Sequence, residues 1–292
     1  MENRTIWRAL LAVLLYFLII KSYSQDMAEI VAPGIISTGD DYCTTLSPDG
    51  KTLYFARKFE NDRDQIMKSM LVNSQWSEPT KVEFSGIFSD PDPLLTPDGN
   101  KMYFMSNRNA MQDGWKEDYD IWVVDLEENG WGRPYQLPDF INSSFNEGFP
   151  STTSDETLYF FRANKPGFSE PDIWYSKKVG GGFDTPVKLC SNINTDAWEG
   201  HAFVSPEEEY LIFYSTKDGG YGRGDLYISF RENGGWGQAK NLGPRVNNDG
   251  FESLPFVSRD EKTLYFTRGK DGQLNIYQVS FDTLLKELKS KP

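Results

Sequence analysis

The sequence predicts an all-β fold, a five-bladed β-propeller of four-stranded antiparallel blades whose ring is closed by the N-terminal strand. Three observations carry this reading. A strand–turn–strand pattern recurs five times, the fifth copy stops one strand short, and the missing strand stands at the opposite end of the chain.

The recurring core is the tripeptide Leu53-Tyr54-Phe55. It returns as Met102-Tyr103-Phe104, Leu158-Tyr159-Phe160, Leu211-Ile212-Phe213 and Leu264-Tyr265-Phe266, at steps of 49, 56, 53 and 53 residues. A polar turn precedes each copy: Pro48-Asp49-Gly50, Pro97-Asp98-Gly99, Ser154-Asp155-Glu156, Pro206-Glu207-Glu208 and Arg259-Asp260-Glu261. Pro and Gly supply turn dihedrals, and Asp can bond its own backbone two residues on. Each unit therefore holds a strand, a tight turn and an aromatic-rich second strand.

A third strand follows at Gln65-Ile66-Met67, Asp120-Ile121-Trp122, Asp172-Ile173-Trp174, Asp225-Leu226-Tyr227 and Asn275-Ile276-Tyr277. Nine residues beyond its last member stand Trp76, Trp131, Phe183 and Trp236, which open a fourth strand. Four short strands in about 50 residues, repeated radially, is the propeller pattern. A solenoid would need distinct polar caps at both ends. Here the fifth unit ends near Phe281 without a fourth strand. Sixteen residues separate Trp131, Phe183 and Trp236 from Glu147, Glu199 and Glu252, and the same sixteen separate Gln25 from Asp41. In that frame Val31 matches Leu137, Leu189 and Leu242, and Ile35 matches Ile141, Ile193 and Val246. The N-terminal segment is thus expected to close the last blade, removing an edge that would otherwise invite aggregation.

The segments Ser47 to Phe55 (Ser-Pro-Asp-Gly-Lys-Thr-Leu-Tyr-Phe), Ser106-Asn107-Arg108 and Asp120-Ile121-Trp122 resemble the TolB-type, WD40-like propellers that carry a Pro-Asp repeat. The resemblance runs over essentially the whole repeat region. It implies an envelope-associated protein that binds other proteins or polymers, although the family commonly has six blades. Fold alone does not assign an activity, because propellers host both binders and enzymes.

Composition narrows the partners. The chain of 292 residues has a formal charge of −13, and so acidic a surface repels phosphate backbones. No nucleic-acid partner is expected. Residues 1–24 read as a secretory signal peptide: Arg4 and Arg8 precede the apolar run Ala9 to Ile20, and Ser22-Tyr23-Ser24 offers a cleavage site. Twelve apolar residues are too few to span a bilayer, which takes about 20, so no membrane span is expected after cleavage. A periplasmic or secreted location follows. Residues 25–282 form the propeller, and the tail 283–292 suits a short helix with Leu284, Leu285 and Leu288 on one side. Cys43 and Cys190 fall far apart in the repeat, so no disulfide is expected.

One acid stands eight residues before each turn acid: Asp41, Asp90, Glu147, Glu199 and Glu252. This places a carboxylate at the start of every innermost strand, around the channel mouth. Such groups are expected to bond neighbouring backbone or to pair with Arg57, Arg108, Arg162 and Arg268, which follow the second strand in four blades. A ring of five would also suit Ca²⁺, while a glycosidase or lyase would need two of them in unlike environments. Because the acids recur in register, no catalytic residue is assigned among them. His201, the single histidine, lies two residues past Glu199 and is expected to share its side of the strand as a channel-lining or ligand-contacting group. The run Gly219 to Gly224 is not followed by a helix, and so reads as a hairpin tip instead of a phosphate loop. The longest loop of the channel-mouth face, Asn107 to Tyr119, carries Met111, Trp115 and Lys116 and is the expected contact for a protein or polysaccharide of the envelope. The favoured function is a non-catalytic binding or scaffolding propeller; the alternative is a carbohydrate-active enzyme using the channel-mouth carboxylates.

Overall fold

The computed structural model describes residues 27–60, 63–109 and 114–290. The expected signal peptide, Gln25 and Met111 lie outside the described residues.

The five repeats build five antiparallel sheets. Blade one runs Asp41–Leu46, Thr52–Lys58 and Asp64–Val72; blade two runs Leu94–Leu95, Lys101–Arg108 and Trp115–Glu127. Blade three is Glu147–Thr152, Leu158–Arg162 and Asp172–Ser176; blade four is Glu199–Val204, Tyr210–Ser215 and Asp225–Glu232; blade five is Phe251–Val257, Thr263–Lys270 and Gln273–Ser280. The repeated tripeptide sets the register. Phe55, Phe104, Phe160, Phe213 and Phe266 lie opposite Met67, Trp122, Trp174, Tyr227 and Tyr277 on the third strands. All five phenylalanines are fully buried. They fill the space between sheets, where apolar burial supplies most of the stabilisation.

The turns behave as their residues dictate. Asp49 Oδ1 accepts the Lys51 amide at 3.0 Å and the Ser47 hydroxyl at 2.6 Å, and Asp98 and Asp260 repeat the arrangement. The outer edge is more broken than one continuous fourth strand. In blade one Gln75–Trp76 pairs with the end of the third strand and Thr80–Lys81 with its middle. Pro79, lacking an amide hydrogen, stands in the interruption.

Closure occurs as expected. Glu29 and Ile30 pair with Gln278 and Tyr277 of blade five. The Val31 amide donates to Ile276 O at 2.9 Å, as Leu137, Leu189 and Leu242 donate to Ile121, Ile173 and Leu226. Ile36, not Ile35, takes the place of Ile141. Ile36 is 0% exposed, and the next residue, Ser37, brackets the Ile276 backbone as Asn142 brackets that of Ile121. The segment between Val31 and Ile36 is one residue longer than its counterpart, a local insertion that a fixed spacing does not reveal.

Side-chain bonds also tie the inner strands to the blade next door. Cys43 N–H donates to Thr267 Oγ1, Leu95 N–H to Thr45 Oγ1, Phe149 N–H to Asp92 Oδ2, and Val204 N–H to Ser151 Oγ. The C-terminal helix spans Phe281–Ser290, beginning two residues before the expected tail. Its buried Phe281, Leu284 and Leu288 join a core cluster that runs through blades four, five and one. No helix among the described residues is long and apolar enough to cross a membrane.

Candidate functional site

The five in-register acids do not form an open ring. Each is 0% exposed and is held inside its own blade. Arg57 Nε reaches Asp41 Oδ1 at 2.5 Å, Arg108 reaches Asp90 at 2.8 Å, Arg162 reaches Glu147 at 3.0 Å and Arg268 reaches Glu252 at 2.7 Å. The same guanidinium groups donate to carbonyls of the preceding connection, Ile35 and Ile36 O, Phe84 O, Phe140 and Ile141 O, and Val246 O. They also lie over the rings of Phe55, Phe104, Phe160 and Phe266. Blade four departs from this pattern. Glu199 has no arginine partner among the described residues: Ser215 stands opposite it, at the place Ser106 takes in blade two, and Glu199 accepts from the Ser215 hydroxyl and from the amide and hydroxyl of Thr195. Burial outweighs the Ser143 and Arg162 contacts of Glu147 and lifts its carboxyl to about 7.

Two residues past each acid the inner strand bulges. Cys43, Asp92, Phe149, His201 and Leu254 all have φ between 43° and 57°, and the ladder slips by one residue there in blades one, three, four and five. A non-glycine residue held in the left-handed region is uncommon, and bulges re-aim side chains. This corrects the expectation for His201. Strand alternation would put it beside Glu199, but the bulge turns it away from the Glu199 pocket and into the axis. The five axial positions are also where the repeat stops repeating: a thiol, a carboxyl, a phenyl, an imidazole and an isobutyl group.

These positions sit beneath a funnel of about 310 Å³ to which all five blades contribute. Its lining residues stand where inner and third strands begin and second strands end, here termed the upper end. Tyr42, Asp64, Asp92, Tyr119, Phe161 and Phe168 form much of the wall, with His201, Phe251 and Leu274 completing it. None of the five buried acids is among them. Asp64 Oδ2 accepts the Ser89 hydroxyl at 2.8 Å. Asp92 is 5% exposed and burial lifts its carboxyl to about 7, against the opposing effect of the Phe149 amide. His201 is packed by Phe149, Phe161, Trp198 and Tyr214, at ring separations from 5.2 to 5.8 Å. Burial drives its imidazole down to about 3, so it is neutral at physiological pH. Glycine at positions 148 and 200, one before the bulge, makes room for this packing: a Cβ on Gly200 would lie 2.7 Å from the Trp198 ring.

At the lower end Arg259 of blade five reaches the carbonyl of Thr96 in blade two, a bond of 2.8 Å between blades that are not neighbours. Cys43, Met105, Phe149, Phe161 and Leu254 pack together along the axis. Cys43 is buried and Cys190 exposed, and both are free thiols. Among the described residues no three His, Cys, Asp or Glu side chains are grouped to hold a metal ion.

Most of the described residues of the expected contact loop lie in strands, since Lys101–Arg108 runs into it and Trp115–Glu127 extends the third strand of blade two upward. Trp115 is 67% exposed and does not fold back over its blade. Lys116 is committed to Asp118 and Asp120. Asp64, Asp92, Tyr119 and Phe161 were not singled out from sequence; the signal that marks Asp92 is its place two residues past a repeated acid, where the other blades carry unrelated side chains.

No protein-family model matches the sequence, and no curated protein matches it. Solved structures do. A putative TolB from Agrobacterium tumefaciens aligns with a TM-score of 0.55 at 14% identity, over 84% of this chain and 78% of that one. TolB from Acinetobacter baumannii aligns at 0.51 and 15% identity, over 83% of this chain and 55% of that one. The fold is TolB-like. The chain spans about half the length of the Acinetobacter TolB structure. An α-L-arabinofuranosidase from Lactobacillus brevis aligns equally well, at 0.53 and 13% identity over 86% of this chain and 92% of that one. A thermostable family-43 glycoside hydrolase gives 0.53 at 12% identity over the same shares. At such identities the TolB-like and hydrolase propellers share architecture with this chain, and function has to be argued from the site.

Proposed function

We propose that this chain is a non-catalytic binding propeller, exported from the cytoplasm, that recognises a protein or polysaccharide of the cell envelope with its upper face. The observation that carries the reading is the disposition of its carboxylates and apolar groups. The five repeated acids are consumed inside the blades, whereas Phe59, Ile87, Phe140, Phe168 and Tyr221 are exposed on connections of one face and Trp115 at the strand end beside them. Exposed aromatic side chains on a rigid scaffold are a common basis of recognition. The apolar segment of residues 9–20 supports export. The test is capture from an envelope extract by immobilised mature protein, beside Trp115→Ala and Ile87→Asp. Loss of a captured partner in both variants, with unchanged melting temperature, supports the reading; capture indifferent to both would overturn it.

A second reading, a carbohydrate-active enzyme, is favoured by the funnel itself, which pairs Asp64 with a differently placed Asp92 between aromatic walls. Two carboxyl groups in unlike environments are what glycoside hydrolysis requires. Turnover of any member of a glycan panel, abolished in Asp92→Asn, would decide for it.

A further inference from the structure

We propose that the axial funnel is a binding site for an organic ammonium group, free in a small amine or borne on a lysine side chain. The inference rests on the upper face being the binding face and gives that face a ligand chemistry. Its walls combine the rings of Tyr42, Tyr119, Phe161 and Phe168 with the carboxyl groups of Asp64 and Asp92, and neither lysine nor arginine is among the lining residues. Aromatic faces attract cations through their quadrupoles, more strongly where water is excluded. A carboxylate at the base of such a walled funnel supplies the compensating charge that a desolvated cation needs.

Other ligand classes fit less well. At about 310 Å³ the funnel admits a group of a few heavy atoms and no folded segment. A sugar needs many hydrogen-bonding partners, and several of those at hand are already engaged. Ser89 donates to Asp64, Asp92 Oδ2 accepts the Phe149 amide, and Thr267 Oγ1 accepts the Cys43 amide. Anions are opposed by the wall carboxyls and by the chain's charge of −13. His201 adds no competing positive charge: it is enclosed by four rings, and its Nδ1 is buried without a hydrogen-bond partner.

The titratable groups around Asp92 are Asp64, Tyr42, Cys43, Tyr119 and His201. Burial raises Tyr42, Cys43 and Tyr119 and lowers His201, so these four are neutral between pH 5 and 8. Over that range Asp92, lifted to about 7, gains its charge. An ammonium group drawn against it favours the ionised form, so binding releases a proton and strengthens as pH rises.

The experiment is calorimetric titration of the mature protein with n-butylammonium and tetramethylammonium, against 1-butanol as the uncharged isostere. A second arm compares an acetylated lysine methylamide with its norleucine analogue. Saturable binding of the cations is expected, weaker by about tenfold or more at pH 5.5 than at pH 8. The same loss is expected at pH 8 in Asp92→Asn and, independently, in Tyr119→Leu. Preference for the lysine derivative over the simple amines identifies a protein partner as the source; the reverse identifies a small amine. Equal binding of butanol, no pH dependence, or cation binding unchanged in both folded variants would overturn the proposal. Envelope capture that requires Trp115 but not Asp92 would sink this inference and leave the binding-face reading intact. Ammonium binding without any envelope capture would do the reverse.

Discussion

Asp92 Oδ2 accepts the backbone amide of Phe149, from the adjacent blade, at 3.2 Å. One carboxyl group thus lines the funnel and joins the inner strands of blades two and three. Because burial lifts it from 3.8 to about 7, the native state holds a proton there that the unfolded chain has already lost. Its contribution to stability is therefore complete below about pH 4 and is lost as pH rises through 7, a change of about 4 kcal/mol. Glu147, also lifted to about 7, acts with the same sign. Asp92→Asn keeps an oxygen for the Phe149 amide and abolishes its own share of the slope. Urea unfolding between pH 4 and 8 should show a flatter profile for the variant; superimposable profiles would mean Asp92 ionises normally.

The arginine–acid pairs should differ from the pair-free blade. Arg162→Leu leaves Glu147 buried with only Ser143 as partner and is expected to cost about 3–5 kcal/mol, the usual penalty for stranding one half of a buried pair. Glu199→Gln, where no arginine is involved, is expected to cost about 1.5–3 kcal/mol through weakened bonds to Thr195 and Ser215. Thermal melts of both variants check the order. A nearly neutral Arg162→Leu would show that Glu147 is carried in its protonated form.

Removing residues 27–38 exposes the edge of Gln273–Ser280. The product is expected to associate or precipitate, because an unpaired strand edge templates pairing with other chains. Size-exclusion chromatography reads the result directly, and a monomer with unchanged melting temperature would dismiss the role of the closing strand.

Gly148→Ala would drive a Cβ into Met105 Sδ and to 2.9 Å from the Phe161 ring. Both neighbours are buried, so relief requires moving side chains of the funnel wall. A loss of about 1–3 kcal/mol is expected, the usual range for overpacking, with altered near-ultraviolet dichroism from the aromatic cluster. An unchanged melting temperature would show that the wall yields freely.

The blades were legible because their instructions repeat. Leu53-Tyr54-Phe55 and its four counterparts mark one strand with the same apolar pattern, and the partnership of Arg57 with Asp41 follows from residues returning at fixed offsets. The axis was not legible for the opposite reason. Cys43, Asp92, Phe149, His201 and Leu254 share a backbone conformation but no side-chain chemistry, and a left-handed residue within a strand has no periodic signature. Alternation would set His201 beside Glu199, but alternation holds only while the ladder is unbroken. Ile36 stands one residue beyond the place that the fixed spacing gives, because an insertion before it and a shorter step after it cancel in the total. Asp64 and Tyr119, side by side in the funnel wall, belong to different blades, and only the closed ring brings them together.

The closing strand also sets the order in which this protein can be completed. Gln278 Nε2 bonds Glu29 Oε1 across 249 residues, so the closing segment cannot pair until blade five, far along the chain, is in place. Contacts so distant along the chain impose a loop-closure cost before they return any stabilisation, and they slow folding. Blades one to four can assemble as their residues become available, but blade five keeps an unpaired edge until the two ends meet. The most vulnerable interval in the life of the molecule is therefore its last folding step, and a factor that guards the free edge of Gln273–Ser280 during that interval would raise yield without touching the native state.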